Sequence, residues 1–177
     1  MGNFINSNTT SYNNIITNLY FKKIIRNIIE IGNLNNSDKK ILDFGCGNKK
    51  LSKSLQNKTV LNYDIKPEFS DYNNYHDLDF DVIVINHVLE YFTSTEIIEL
   101  FENLKKINPK TEIIIGLPTR GLLSKILKNL LLQFNAHDNY LSNYQEIVQV
   151  IEKYTIQITK PRNIYFATKI FHLQFKQ

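Results

Sequence analysis

The sequence predicts an α/β fold: a mostly parallel sheet flanked by helices in a three-layer sandwich, with a C-terminal antiparallel hairpin. Three observations predict it. Short apolar runs alternate with segments of helical period over residues 12–118, as they do when parallel strands are joined by right-handed crossovers. The run Ile113, Ile114, Ile115 is continuous rather than alternating, which is how strands covered on both faces read. Finally, two β-rich runs close the chain with no helix between them, the pattern of a hairpin.

Each element follows in order. Residues 1–11 are polar and predict a loose segment. A helix is expected over 12–31, because Ile15, Ile16, Leu19, Tyr20, Ile24, Ile25, Ile28 and Ile29 recur at three- and four-residue steps before Gly32. The polar turn 33–40 leads to a strand at 41–44, then Gly45, Cys46 and Gly47, then a short helix over 51–55. Strands at 59–63 and 80–85 end at Asp64 and Asn86. Only sixteen residues separate Asp64 from Asp81, which barely holds a crossover helix plus another strand, so the helix there is expected to be short or absent. A helix over 94–107 carries Ile97, Ile98, Phe101 and Leu104 on one face, and a buried strand follows at 112–116. Residues 121–134 place Leu122, Leu123, Ile126, Leu127, Leu130, Leu131 and Phe134 opposite Lys125 and Lys128, an amphipathic helix. The closing hairpin pairs 155–159 with 164–175 around Lys160, Pro161, Arg162 and Asn163.

Composition narrows the class. A chain of 177 residues fits one domain over 1–177, and neither a repeat nor a linker interrupts it. With 42% hydrophobic residues it can bury a core, which excludes global disorder. A net charge of +4 is too small to indicate nucleic acid without a clustered stripe. Asn and Ile are abundant, a coding bias that leaves Gly, Asp and His as the informative positions. The one cysteine cannot form an intrachain disulfide, no basic segment followed by an apolar run marks a leader, and no run of about 18 apolar residues occurs. The expected location is cytoplasmic.

The residues that carry chemistry are Ile41 to Asn48, with Asp64 closing the next strand. Paired glycines let the chain turn sharply and let backbone approach a ligand. The amides opening the next helix favour polar or anionic groups. An acid about 20 residues further on suits ribose hydroxyls. An adenosine-containing ligand follows. The dinucleotide fingerprint requires a third glycine where Lys50 stands, which argues against a nucleotide-dependent oxidoreductase, and the phosphate-loop motif is absent as well.

What remains resembles motif I of the class I S-adenosylmethionine-dependent methyltransferases, whose fold is Rossmann-like. The similarity continues in register over residues 38–118: Asp64 matches the ribose acid, Asp77 and Leu78 match the adenine pair, and residues 80–92 resemble the fourth strand and turn of the type-11-like branch. Lys49 stands at the third glycine of the fuller motif, and Tyr91 replaces a histidine. The resemblance implies S-adenosyl-L-methionine as cofactor, held by a core at 39–118, with acceptor-side helices over 119–154. It implies that Gly45, Cys46 and Gly47 present backbone to the methionine moiety and that Asp43 orients the ammonium. It places Asp64 on the ribose, Ile65 on adenine, Asp77 on the adenine amino group and the Leu78 amide on the ring. Asn86 would offer its carbonyl to the ammonium, and His87 would border the sulfonium. Asp77 suits a turn cap equally well, and Asp64 could be a solvated strand-end carboxylate.

Methyl transfer needs in-line positioning more than acid–base apparatus, and a base serves only hydroxyl or protonated-amine acceptors. His87 and His137 are the candidates, although His87 also fits a turn residue stacked beside the cofactor and His137 a pocket lip or simple turn. Cys46 packs inside the glycine turn and is not expected to be a nucleophile; no metal site is expected. The turn at Asn86 lacks the Pro-Pro-aromatic sequence of methyltransferases acting on planar amino groups, so nucleic acid is disfavoured. The expected acceptor is a small molecule, a glycan or a lipid-linked intermediate, with peripheral membrane contact through 121–134 as one form of it. A non-catalytic methyltransferase-like partner module and an RNA methyltransferase remain alternatives.

Overall fold

A computed structural model describes residues 15–119 and 140–177. Six strands form one sheet: β1 (Ile41–Phe44), β2 (Val60–Tyr63), β3 (Val82–Asn86), β4 (Glu112–Pro118), β5 (Thr155–Ile164) and β6 (Thr168–Phe175). The helices are α1 (Ile15–Ile31), α2 (Lys50–Ser54), α3 (Ser94–Ile107) and α4 (Tyr144–Tyr154). The strand order is β2-β1-β3-β4-β6-β5. The first four strands are parallel, and β6 joins antiparallel to β4 with β5 beside it.

Strand alternation divides the core into two. Ile41, Val82, Val84 and Ile114 face Ile24, Ile28 and Ile31 of α1 and Leu51 of α2. Leu42, Ile83, Ile85, Ile113 and Ile115 face Ile97, Phe101 and Leu104 of α3 and Ile147 and Ile151 of α4. Helix, sheet, helix: these are the three expected layers. Both α3 and α4 begin with reciprocal capping boxes, Thr93 with Glu96 and Asn143 with Glu146, which satisfy amides that the first turn leaves open.

Two local features bear on the site. Between β2 and β3 the chain forms neither helix nor strand. Tyr75 fills that space instead, meeting Phe44 and Tyr63 edge-on at 5.2 and 5.3 Å. The second feature corrects the sequence reading. The hairpin turn lies at Tyr165 and Phe166, not at residues 160–163: β5 runs through Pro161 with irregular register. Proline is tolerated there because β5 is an edge strand. The turn needs two positive φ angles, and two aromatics supply them at 50° and 53°. Thr119 secures it, its amide donating to the Ala167 carbonyl at 2.8 Å and its hydroxyl to the Phe166 carbonyl.

Candidate active site

The chain leaves β1 toward β2 on one side, while β3 lies on the other. Ligands in open α/β sheets bind outside the carboxyl ends of the strands at such a reversal. Gly45, Cys46 and Gly47 cross it. The Gly45 and Cys46 amides donate to the Tyr63 carbonyl at 2.8 and 3.1 Å. Gly45 has φ 77°, and a Cβ there would come 2.3 Å from Val88 Cγ2, so the turn after β3 is seated on the turn after β1. Gly47 has φ 44° and faces open space, with nothing within 4 Å of an added Cβ. The next left-handed residue is Lys49, φ 55°. Its ammonium pairs with Asp71, anchoring the conformation that a third glycine would adopt freely.

Two carboxylates converge on this turn. Asp64 Oδ2 accepts from the Gly47 amide at 2.9 Å, and Oδ1 accepts from the Lys66 amide at 3.0 Å. Asp43 is only 6% exposed; burial, then the Asp64 charge, raises its carboxyl to about 7. Burial, then Asp43 and Asp64, pushes the Cys46 thiol up to about 12. A thiol so protonated is inert. Beside Asp64 lies a hollow of about 260 Å³ lined by Tyr63, Asp64, Ile65, Pro67, Ser70, Asp71, Tyr72 and Asn73. Of these, sequence reasoning named only Asp64 and Ile65 as site residues. Ser70, Asp71 and Tyr72 carry no motif, and only the fold brings them back toward β2: the Asp71 amide donates to the Asn62 carbonyl at 2.9 Å. Asp77 and Leu78 do not line this hollow. Asp77 is exposed, and the Leu78 amide donates to the Tyr75 carbonyl at 3.3 Å rather than facing a ligand.

The turn after β3 packs against the glycine turn through Val88. His87 takes φ 57°, and its amide donates to the Gly116 carbonyl at 2.9 Å. The ring Nε2 lies 2.9 Å from Thr168 Oγ1 at the start of β6, which also bonds the Tyr20 hydroxyl from α1. Phe21 meets the His87 ring edge-on at 5.9 Å, and Lys50 Nζ sits 4.5 Å over Phe21. On the far side, His87 Nδ1 lies 3.9 Å from Glu90 Oε1. Glu90 is 2% exposed, and burial pushes its carboxyl up to about 8. Asn86 Oδ1 is buried without a hydrogen-bond partner among the described residues. The fold thus brings together Asp43, Gly45, Cys46, Gly47, Asp64, Ile65, Asn86 and His87. It adds Tyr20, Phe21, Glu90 and Thr168, which sequence reasoning did not select; no local pattern ties α1 or β6 to this turn. His137 and residues 121–134 lie outside the described residues. No group of three or more metal-ligating side chains is found among the described residues.

A glycine turn at the strand reversal, an acid closing the next strand and open space at Gly47 define an α/β protein with a crevice at the carboxyl ends of its parallel strands. A family model described as "Methyltransferase domain" matches residues 17–154, and the chain belongs to that family. No curated protein sequence matches the chain. Similar solved structures include magnesium protoporphyrin IX methyltransferase from Synechocystis PCC 6803 with bound S-adenosylhomocysteine, at TM-score 0.62 and 13% identity over 92% of this chain and 88% of that one. The N-methyltransferase NodS from Bradyrhizobium japonicum WM9 aligns at TM-score 0.63 and 11% identity, over 90% and 98%. A protein of Pyrococcus horikoshii OT3 aligns at TM-score 0.70 and 13% identity, over 94% of both chains. At these identities the likeness concerns the fold. Among the described residues no helix is long and apolar enough to cross a membrane.

Proposed function

We propose that the chain transfers a methyl group from S-adenosyl-L-methionine to an oxygen or nitrogen of a small-molecule, glycan or lipid-linked acceptor by in-line displacement. The carrying observation is Asp64, at the tip of β2, tied to the Gly47 amide beside an open crevice. The residues fit that cofactor. Its ribose hydroxyls and ammonium are donors, and Asp64, Asp43 and the Asn86 carbonyl are acceptors around one turn. When bound, the cofactor supplies a methyl already activated on a sulfonium.

The residues then have these tasks. Asp64 grips the ribose, and the backbone of Gly45, Cys46 and Gly47 lies along the methionine moiety. Asp43, raised to about 7 by burial and then the Asp64 charge, would be the carboxylate that faces the ammonium, since a nearby opposite charge favours the ionised form. Ile65, 64% exposed, gains cover by packing on adenine. Asp77 and Leu78 reach adenine only if their loop rearranges, since the Leu78 amide is engaged with Tyr75. Phe21 and Tyr20 roof the His87 side and exclude water from the transfer step.

Isothermal titration with S-adenosylmethionine tests the reading: saturable binding that Asp64→Ala removes supports it, and no binding by the wild type at about millimolar cofactor defeats it. Bound cofactor with no product across hydroxyl and amine acceptors would instead favour a non-catalytic module.

A further inference from the structure

A second hollow, of about 190 Å³, lies between α1 and α2 and shares no lining residue with the one beside Asp64. Asn18, Lys22 and Ile25 line it from one face of α1, and Lys50, Lys53 and Ser54 line it from α2. Three ammonium-bearing side chains therefore meet here, with no acid among the described residues that line it. Neighbouring lysines in the chain are answered by carboxylates: Lys39 by Glu112, Lys40 by Asp79, Lys49 by Asp71 and Lys58 by Asp38. Lys50 is half-buried. Burial, then the Lys53 charge, lowers its ammonium below the ordinary range, a cost that an anion in the hollow would relieve.

The hollow has an apolar floor and a direction. Ile25 is buried, and Lys50 Nζ stands 4.5 Å over the Phe21 ring. Phe21 in turn meets the His87 ring at 5.9 Å, so one aromatic ring links the hollow to the turn after β3. Pockets that take whole ligands hold about 300–1,000 Å³, so this one suits one end of a molecule. Lysines act on phosphate as point charges. A phosphate monoester carries close to two negative charges near neutral pH, a nearer match to three ammonium groups than a single carboxylate. A nucleic-acid backbone would call for a stripe of cations instead.

We propose that this hollow holds the phosphate group of a small phosphorylated acceptor, whose remainder passes Phe21 toward the turn after β3. The acceptor role rests on the S-adenosylmethionine reading above; the phosphate site stands without it. Lys53 Nζ donates to the Asn48 carbonyl at 2.9 Å, but an ammonium has three donors and keeps others for the ligand. The Ser54 hydroxyl is engaged with the Lys50 carbonyl at 2.9 Å, so the hold is by charge.

Amide proton–nitrogen spectra at constant ionic strength, balanced with chloride, test this. Inorganic phosphate should give saturable shifts at Lys22, Lys50 and Lys53, with affinity near millimolar. Glucose 6-phosphate should move the same amides and also those of Phe21 and His87. Lys22→Gln/Lys53→Gln changes two exposed positions; it should weaken both ligands about tenfold and leave S-adenosylhomocysteine affinity unchanged. No saturable shift at these lysines in about 10 mM phosphate, or equal affinity in the double variant, overturns the site. Glucose 6-phosphate shifts that stop short of Phe21 and His87 overturn the acceptor role. Tighter engagement of the same lysines by an RNA oligonucleotide or by phosphatidic acid vesicles overturns it as well, in favour of a macromolecular or lipid phosphate. Failure of the wild type to bind S-adenosylhomocysteine, with the phosphate shifts intact, defeats the cofactor reading and the acceptor role but not the phosphate site.

Discussion

The sheet carries a histidine–glutamate pair at each end, and the two are built in opposite ways. At the amino end of β4, Glu112 accepts from His172 at 3.0 Å and also pairs with Lys39. Burial alone would raise its carboxyl, but the Lys39 and His172 contacts outweigh it and hold Glu112 below the ordinary range. At the carboxyl end, Glu90 has no hydrogen-bond partner among the described residues, and its carboxyl rises to about 8. One acid is satisfied and static. The other is buried on the turn after β3 with its charge unanswered by any hydrogen bond among the described residues. Buried groups with shifted ionisation concentrate at functional sites, which is the reason the two ends are worth comparing.

The largest effect expected from breaking the upper end comes from Gly45→Ala, which meets Val88 Cγ2 at 2.3 Å at a φ of 77°. It should cost about 3 kcal/mol in denaturant unfolding and abolish S-adenosylhomocysteine binding, with partial recovery of stability in Gly45→Ala/Val88→Ala. Next, Asp64→Ala should weaken that ligand about ten- to a hundredfold by titration calorimetry while barely moving the melting temperature.

The paired acids predict opposite responses to pH. Glu112 is held low, so the stability it gives is present above its unfolded value and is lost as pH falls through its folded value. Glu90 and Asp43 are held high, so the stability they give is present below their unfolded values. It is lost as pH rises through about 8 and about 7 respectively. Glu90→Gln should therefore flatten the alkaline fall of the melting temperature. Glu112→Gln should lower stability at neutral pH by about 1–2 kcal/mol and flatten the acid limb. The smallest effect belongs to Lys49→Gly. Relief of the left-handed φ, about 1 kcal/mol, is offset by loss of the solvent-screened Asp71 ion pair, so the melting temperature should barely move.

The parts of this arrangement that are local were legible in the sequence. Glycines after Phe44, an acid after Tyr63 and continuous apolar runs at β3 and β4 state strand, turn and crevice directly, because each is a short-range consequence of backbone sterics and burial. The missing crossover helix was readable from the distance between Asp64 and Asp81. Three features were not. The hairpin turn at Tyr165 and Phe166 defies turn chemistry, since bulky aromatics stand at positive φ while Pro161, a turn residue by habit, sits on an edge. At Lys49 the sequence marks the place of a third glycine, but not the ion pair with Asp71, 22 residues away, that accompanies a left-handed lysine there. Nothing local marks Glu90 as buried, and its turn is covered from far along the chain, the Leu141 amide donating to the Glu90 carbonyl at 2.9 Å. Long-range contact, not propensity, decided all three.

The two ends of the sheet also offer the most direct test of the central claim, that the crevice at the carboxyl ends binds S-adenosylmethionine through the glycine turn and Asp64. Amide proton–nitrogen spectra recorded with and without S-adenosylhomocysteine should show the largest shifts at Gly45, Gly47, Asp64 and His87, with Lys39, Glu112 and His172 unmoved. Saturating ligand that leaves Gly47 and Asp64 unshifted, or that moves the Glu112 end instead, would contradict it.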